Sequence, residues 1–158
     1  MNVTIHPARP ALAEELSDIA LRSKGHWGYS SEQLALWREE FLTFTPEFIR
    51  DNQVWIAVAD EQIVGFAAIK EEDGTAILDD LWVLPAYIGR GVGRQLFGHV
   101  AAHVPEFIFT SDPHADNFYY KMGAEKIGEQ PSTIQGRTLT LFRYRRTANQ
   151  SGGGPVGQ

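Results

Sequence analysis

The sequence contains no cysteine in its 158 residues. This absence excludes a disulfide-stabilised scaffold, a thiolate nucleophile and any zinc or iron–sulfur site held by cysteines. Long apolar runs are missing as well, since no uncharged stretch approaches the ~18 residues of a membrane span. Residues 1–20 lack the pattern of a signal peptide. We therefore expect a cytoplasmic protein that does not act at a membrane.

Cationic residues are in the minority, with 14 Lys and Arg against 20 Asp and Glu, for a formal net charge of −6. This balance argues against nonspecific binding to nucleic acid and is compatible with a cationic substrate. The apolar fraction of 43% and the charged fraction of 22% are typical of a soluble globular domain. We expect one domain over 1–146. Residues 147–158 are rich in glycine and poor in apolar side chains, which predicts a disordered tail.

Hydrophobic periodicity divides the chain into strands and helices. Alternating apolar residues predict strands over 54–59, 63–71 and 75–83, and the short turns between them predict an antiparallel meander. A helix that ends near Val104 and a short strand over 107–110 follow, as in a strand–helix–strand crossover. Three further strands are predicted over 3–7, 125–130 and 138–144. Four further helices are predicted: one over 11–24, one from residue 30 or 31 to 41, a short one that starts at residue 45, and one over 115–122. This order predicts an α/β fold with a mixed sheet.

A glycine-rich loop lies between the last strand of the meander and the helix that follows. Its sequence, Gly-Arg-Gly-Val-Gly-Arg at 89–94, has glycine at every second position. Glycines let the backbone approach a ligand closely and adopt positive φ angles. The first turn of a helix leaves N–H groups unpaired, and the helix dipole adds positive charge there. The loop therefore predicts a phosphate or pyrophosphate site, which the two arginines would reinforce.

Two common phosphate motifs do not match this loop. A P-loop needs a lysine followed by Ser or Thr, and the loop has neither. A dinucleotide-binding fingerprint needs G-x-G-x-x-G in a parallel βαβ unit, whereas this spacing is G-x-G-x-G and follows a meander. A tight strand-to-helix turn without a ligand is the remaining structural alternative.

Two segments carry a resemblance to a known family. Leu-Trp-Val-Leu-Pro at 81–85, followed by the glycine loop, resembles the acetyl-CoA motif of the GNAT superfamily of N-acetyltransferases. Asn-Phe-Tyr-Tyr-Lys-Met-Gly-Ala at 117–124 is similar to the family's F-Y-x-K-x-G segment. The resemblance implies one GNAT-like domain, α/β or mixed α+β, with a mostly antiparallel mixed sheet of about six to seven strands flanked by helices. It also implies direct transfer of an acetyl group from acetyl-CoA to a primary amine of a small molecule or peptide.

The resemblance also assigns residues to the cofactor. Backbone groups of the third meander strand would hold the pantetheine arm and polarise the thioester carbonyl. The chain departs from the family pattern at Ile88, where Gln or Arg is usual, and at Asp112, where many members have Asn. The assigned residues are Leu81, Trp82, Val83, Ile88, Gly89, Arg90, Gly91, Val92, Gly93, Arg94, Asn117 and Tyr120.

Acetyl transfer to an amine needs two proton movements. The amine must lose a proton before it attacks, and the leaving thiolate gains from protonation. By resemblance, Tyr119 matches the family tyrosine that commonly protonates the thiolate. The structural alternative is that Tyr119 only packs its helix onto the sheet.

Two adjacent carboxylates interrupt the apolar third strand of the meander. Alternation sends Asp79 and Asp80 to opposite faces and places Asp79 with Ile77, Leu81 and Val83. This face corresponds to the substrate side in the family, where members often carry a base. We expect Asp79 to act as the base or to orient the amine, and Asp80 to do so only as a second choice. A solvated acid without a role is the alternative.

The segment between the first two helices occupies the position where the family builds its acceptor site. His26, Trp27 and Tyr29 are expected to contact the acceptor amine, in part through cation–π interaction. Trp27 could instead fill the core. No metal is expected, because His99 and His103 have helical ligand spacing without a third ligand. The alternatives left open are a noncatalytic acyl-CoA-binding module and a nucleotide-phosphate binder of another fold, and a homodimer is one expected assembly.

Overall fold

The computed structural model describes residues 1–27, 29–40, 43–132 and 137–146, with the backbone alone at 37, 39 and 40. The predicted tail over 147–158 and the predicted helix end at residue 41 lie outside these ranges. The strands are β1 (Thr4–Pro7), β2 (Gln53–Ala59), β3 (Gln62–Glu72), β4 (Thr75–Val83), β5 (Glu106–Ser111), β6 (Glu125–Pro131) and β7 (Thr138–Arg145). The α-helices are α1 (Ala13–Gly25), α2 (Ser31–Glu40), α3 (Pro46–Asp51), α4 (Val92–His103) and α5 (Asp116–Lys121). No helix within the described ranges is both long and apolar enough to cross a membrane.

The described strands form one seven-stranded sheet in the order β1-β2-β3-β4-β5-β7-β6. Neighbouring strands run antiparallel except β4 and β5, which run parallel. A parallel pair needs a long connection, and α4 provides most of it. The predicted meander is β2, β3 and β4, and the predicted mixed, mostly antiparallel sheet is confirmed.

The helix ends follow local capping rules. The Thr45 hydroxyl accepts a hydrogen bond of 3.1 Å from the Phe48 backbone N–H, and Pro46 occupies the first position of α3. The Ser30 hydroxyl accepts a bond of 3.1 Å from the Gln33 N–H in the same way at α2. The predicted start of the first helix differs, because Pro10–Leu12 form a 3₁₀ turn and α1 begins at Ala13.

The two faces of the sheet carry different helices. Phe66 on β3 contacts the ring of Phe44 at 5.2 Å between centroids, and the Ser17 hydroxyl of α1 accepts from the Phe44 N–H. Gly65 directly precedes Phe66 on β3, and a Cβ added to Gly65 would lie 3.2 Å from the Leu96 side chain of α4. Because adjacent strand residues point to opposite faces, α1 and α4 cover opposite faces of the sheet.

Strand β4 contains a β-bulge at Asp79. Two adjacent residues of β3, Ala68 and Ile69, pair with Asp80 and Leu78, respectively. Asp79 is therefore an extra residue without a partner on β3. Such a residue bends its strand and shifts the alternation of side chains that follow it.

The bulge overturns the predicted placement of the two carboxylates. The register puts Asp80 on the face of Ile77, whereas Leu81 and Val83 lie on the other face. Asp79 reaches the Lys70 ammonium, and its charge also acts directly on Asp80. The prediction that Asp79 and Asp80 face opposite sides, with Asp79 beside Leu81 and Val83, is wrong. Strict alternation fails here because one residue is inserted.

Candidate active site

A cavity opens where β4 and β5 separate. The two strands pair only at Ile77 and Ile108, and no further ladder pair joins them in the described chain. The space has a volume of about 800 Å³. Residues 78–83 form one wall, and residues 109–112 form the other. The glycine loop before α4 and the end of α1 also border it, so the cavity joins both regions that the sequence assigned to ligands.

The glycine loop has the backbone geometry of an anion site. Gly89 and Gly91 have φ angles of 80° and 89°, a region that residues with a side chain rarely adopt. The first backbone hydrogen bond of α4 joins the Gln95 N–H to the carbonyl of Gly91 in this loop, at 3.1 Å. The N–H groups of residues 92–94 precede it and have no intrahelical acceptor. They point outward from the positive end of the helix dipole, which suits a phosphate group.

Gly93 has a different reason to be glycine. A Cβ at this position would lie 3.4 Å from the Phe118 ring and 3.7 Å from a methyl group of Val83. The small residue therefore lets the start of α4 approach both β4 and α5. This close approach keeps the glycine loop at the edge of the cavity.

The predicted cofactor residues divide into two groups. Arg90 places its guanidinium 4.7 Å from the Tyr87 ring centre, Val92 is buried in the core, and Tyr120 packs its ring against Phe142. These three and the exposed Asn117 are not among the residues that line the cavity. The ones that line it are Leu81, Trp82, Val83, Ile88, Gly89, Gly91, Gly93 and Arg94.

Tyr119 lies in the cavity wall, surrounded by aromatic rings. The ring centre of Phe109 is 4.6 Å away and that of Phe118 is 5.0 Å away. Burial raises the pKa of Tyr119, and the negative charge of Asp112 raises it further. The hydroxyl therefore keeps its proton throughout the physiological pH range, as a hydrogen-bond donor must.

Asp79 and Asp80 both line the same cavity but have different surroundings. Asp79 is partly exposed, and its Oδ1 lies 3.4 Å from Lys70 Nζ. Asp80 is only 7% exposed, and its Oδ1 accepts a hydrogen bond of 3.0 Å from Trp82 Nε1. Burial raises the pKa of Asp80 well above its ordinary value, and the charge of Asp79 adds to this effect. The carboxylate that the sequence ranked second is thus the more perturbed one.

Aromatic rings lie at the end of the cavity where the sequence predicts the acceptor, which we call the acceptor end. Trp27 lines it and stacks on His114, with 3.9 Å between ring centres, while His26 meets the edge of Trp27 at 4.8 Å. Partial burial lowers the pKa of His114, so its imidazole is neutral at physiological pH. Trp27 is 41% exposed and does not fill the core. His26 and Tyr29 lie beside this end without lining the cavity.

Four polar side chains contact one another at the acceptor end. We call them the Asp112 cluster, and its members are Lys24, Tyr29, Asp112 and Arg137. Lys24 Nζ donates to Asp112 Oδ2 at 2.6 Å, and Arg137 Nη2 lies 3.7 Å from Asp112 Oδ1. Arg137 Nη1 also donates to the Tyr29 hydroxyl at 2.7 Å. The cluster connects the end of α1, the end of β5 and the start of β7. Of its four members, sequence reasoning noted only Asp112 as a departure and Tyr29 as an acceptor contact.

Local sequence offered little signal for the residues that were missed. Lys24 and Asp112 are 88 residues apart, so their contact depends on the complete sheet. His114 sits next to a proline and resembles an ordinary loop residue in the sequence. The described part of the chain contains no group of three His, Asp or Glu side chains placed to hold a metal ion.

Comparison with known proteins agrees with this geometry. The sequence profile of the acetyltransferase (GNAT) domain matches residues 50–123. The peptidyl-lysine N-acetyltransferase YjaB of Escherichia coli (strain K12) is 30% identical over 148 residues, which span 90% of this chain and 95% of YjaB. The crystal structure of the PaiA N-acetyltransferase from Thermoplasma acidophilum in complex with coenzyme A has a TM-score of 0.73 and 20% identity, over 92% of this chain and 99% of that one. At this identity, the similarity to the PaiA structure shows a shared fold and nothing more.

The parted sheet, the glycine loop and these relatives together define an acyltransferase. The chain belongs to the GNAT superfamily and is an acetyl-CoA-dependent N-acetyltransferase. This membership confirms the predicted family and fold. The nucleotide-phosphate binder of another fold is excluded.

Proposed function

We propose that this enzyme transfers an acetyl group directly to a primary amine while donor and acceptor occupy the cavity together. The observation that carries the proposal is the continuity of the space between β4 and β5. One space is lined by the glycine loop, Tyr119, Asp79 and Trp27. Two substrates that enter from different ends can meet there without a covalent enzyme intermediate.

The cofactor half is made mainly of backbone groups. The N–H groups of residues 92–94 would bind the diphosphate of acetyl-CoA, and Arg94 lines the cavity beside them. The backbone of residues 81–83 would hold the pantetheine arm, because the absence of pairing with β5 frees that edge of β4. The side chains of Arg90, Val92, Asn117 and Tyr120 do not line the cavity and have no direct place in this arrangement, so a cofactor role for these side chains stays a prediction.

Protein side chains would handle the two protons of the reaction. Acetyl-CoA supplies the acetyl thioester. Asp79 takes one proton from the bound ammonium, directly or through water, so that the nitrogen has a lone pair with which to attack the acetyl carbon. The second proton on nitrogen leaves to solvent as the amide forms. Tyr119 donates its hydroxyl proton to the sulfur as the carbon–sulfur bond breaks. Exchange with solvent then restores both side chains.

The acceptor is proposed to be a primary amine that arrives as a cation. Asp79 supplies negative charge at the acceptor end, and Trp27 offers a ring face that is partly open. Because YjaB is a peptidyl-lysine N-acetyltransferase, a lysine side chain of a peptide is the first acceptor to test. Small-molecule amines are the second group. A cytoplasmic location and a homodimer stay predictions.

Two measurements on the purified protein test the proposal. Calorimetric titration should show saturable binding of acetyl-CoA and much weaker binding of acetyl-pantetheine, which lacks the diphosphate. ATP and NAD should not compete with acetyl-CoA. Release of free thiol should then depend on an amine, with lysine peptides and small amines compared at equal concentration. Tight binding without transfer to either group would contradict the proposed reaction and favour a noncatalytic acyl-CoA-binding module.

A further inference from the structure

Asp80 is a buried carboxyl group with an unused oxygen. Its Oδ1 accepts from Trp82, but its Oδ2 is fully buried and has no hydrogen-bond partner in the described chain. An isolated negative charge in such a place is strongly unfavourable because it loses its hydration. A neutral carboxyl group avoids this penalty and gains an O–H donor.

Asp79 is the adjacent carboxyl group and lines the same cavity. The β-bulge places both carboxyl groups on one face of β4, since Asp79 contacts Lys70, the partner of Ile77 on the face of Asp80. Two carboxylates have only acceptor oxygens, so no bond forms between them until one carries a proton. Lys70 lies 3.4 Å from Asp79 and favours negative charge there, whereas Asp80 is the more buried of the two. The proton therefore belongs on Asp80.

We propose that Asp80 is a neutral carboxylic acid in the working enzyme and donates a hydrogen bond from Oδ2 to the Asp79 carboxylate. The pair then carries one negative charge instead of two. The bond fixes the orientation of Asp79 toward the acceptor amine, so that Asp80 is a positioning residue. This catalytic consequence rests on the proposed role of Asp79, but the protonation of Asp80 does not.

The charged groups around Asp79 and Asp80 favour a state in which the two carboxyl groups share one proton over a state in which both are ionised. Lys70 is shared with Glu72, whose Oε2 lies 3.0 Å from the ammonium, so its charge is only partly available to Asp79. Burial and the Asp79 charge raise the pKa of Asp80, and these effects exceed the opposing effects of Trp82 and Lys70. The titratable groups that line the cavity from the other elements are Lys24, Tyr87, Arg94, Asp112, His114, Tyr119 and Lys121.

A pair of substitutions at Asp80 tests the positioning role. In Asp80→Asn, the amide oxygen can still accept from Trp82 and the amide nitrogen can still donate to Asp79. In Asp80→Leu, both interactions are lost. We expect Asp80→Leu to lower kcat/KM for the amine about tenfold, a typical effect of a hydrogen bond to a charged group, without changing acetyl-CoA affinity. Asp80→Asn should restore most of that loss. An Asp80→Asn enzyme that is folded but as inactive as Asp79→Asn would overturn the proposal, because Asp80 would then act as an ionised base.

Stability provides a test that does not depend on activity. A group whose pKa is raised by folding stabilises the protein below its unfolded pKa of about 3.9, and this stability is lost as the pH rises toward the folded pKa. Asp80→Asn cannot ionise and escapes this loss. Its Tm should therefore exceed that of the wild type by a margin that grows from pH 4 upward. A margin that is absent or independent of pH would contradict the proposal.

Direct titration separates this inference from the proposed function. The side-chain carboxyl signal of Asp80 in ¹³C NMR should titrate above the ordinary range of aspartate, and the signal should be assigned by its absence in Asp80→Asn. Titration near pH 4 would overturn the neutral assignment. If the protein fails to acetylate any amine while Asp80 still titrates high, the proposed function fails and the proton assignment stands.

Discussion

The proposed cofactor end and the proposed acceptor end of the cavity are built in different ways. The cofactor end is one contiguous segment, residues 81–94, which offers mainly backbone N–H groups to a ligand. The acceptor end consists of side chains at the end of α1, on β4, just after β5 and just before β7, and it includes the bulge at Asp79 and the Asp112 cluster. A backbone site tolerates changes of side chain, such as Ile88 in place of Gln or Arg. A side-chain site changes with each substitution, which suits the end that selects the acceptor.

Substitution of Tyr119 should give the largest effect, because Tyr119 is the residue proposed to protonate the leaving sulfur. Tyr119→Phe removes the hydroxyl and keeps the ring that packs on Phe109 and Phe118. We expect kcat to fall about 100-fold, as is typical for loss of a general acid. The Kd for acetyl-CoA and the Tm should stay close to those of the wild type. Steady-state kinetics with calorimetry measure this, and an unchanged kcat would leave Tyr119 with a packing role only.

Loss of the Asp112 carboxylate should weaken the acceptor end selectively. Asp112→Asn leaves Lys24 and Arg137 without their shared anion, and the Lys24–Asp112 pair is only 12% and 22% exposed. We expect a loss of about 2 kcal/mol in the free energy of unfolding, below the full range for buried pairs because some solvent remains. The KM for the amine should rise while the acetyl-CoA affinity is kept.

Two controls sharpen this test. In the double variant Lys24→Met with Asp112→Asn, the loss should be smaller than the sum of the single losses, since both partners of one ion pair are removed together. Asp18→Asn breaks an ion pair with Arg22 that is more than half exposed on the same helix, α1. It should change stability by less than about 0.5 kcal/mol. Equal effects of Asp18→Asn and Asp112→Asn would mean that the cluster has no special role.

A glycine substitution tests the cofactor end in isolation. Gly91→Ala forces a residue with a side chain to adopt a φ near 89°, which costs about 1–2 kcal/mol. Because acetyl-CoA binding requires the native turn, we expect the affinity for acetyl-CoA to fall about tenfold. Gly74 has a similar φ of 81° in the turn between β3 and β4, and an added Cβ would meet nothing at either position. Gly74→Ala should therefore cost similar stability with no effect on the Kd for acetyl-CoA. Equal Kd values for the two variants would argue against a diphosphate at the glycine loop.

The same contrast explains which features could be predicted from sequence. Strand β4 was predicted with the bounds that the structure shows, and the glycine loop was identified from its own residues, because both depend on local patterns. The bulge at Asp79 could not be predicted from alternation, since it depends on how β3 pairs with β4. The Asp112 cluster joins residues that only the folded sheet brings together. Local patterns thus predicted β4 and the position of the glycine loop, whereas tertiary packing determined the bulge and the Asp112 cluster.

Removal of the Trp27 ring should give the smallest effect. Trp27→Ala deletes the ring face and its stack on His114, an interaction of about 0.5–1.5 kcal/mol, so that the KM for the amine should rise about threefold to tenfold. Trp27→Phe keeps an aromatic face and should recover part of this loss. Leu36→Ala on α2 removes an exposed apolar side chain outside the cavity lining and serves as the control. Because Trp27 lies at the end away from the glycine loop, the Kd for acetyl-CoA should not change. A parallel rise in this Kd and in the KM for the amine would show that the two ends are not separate sites.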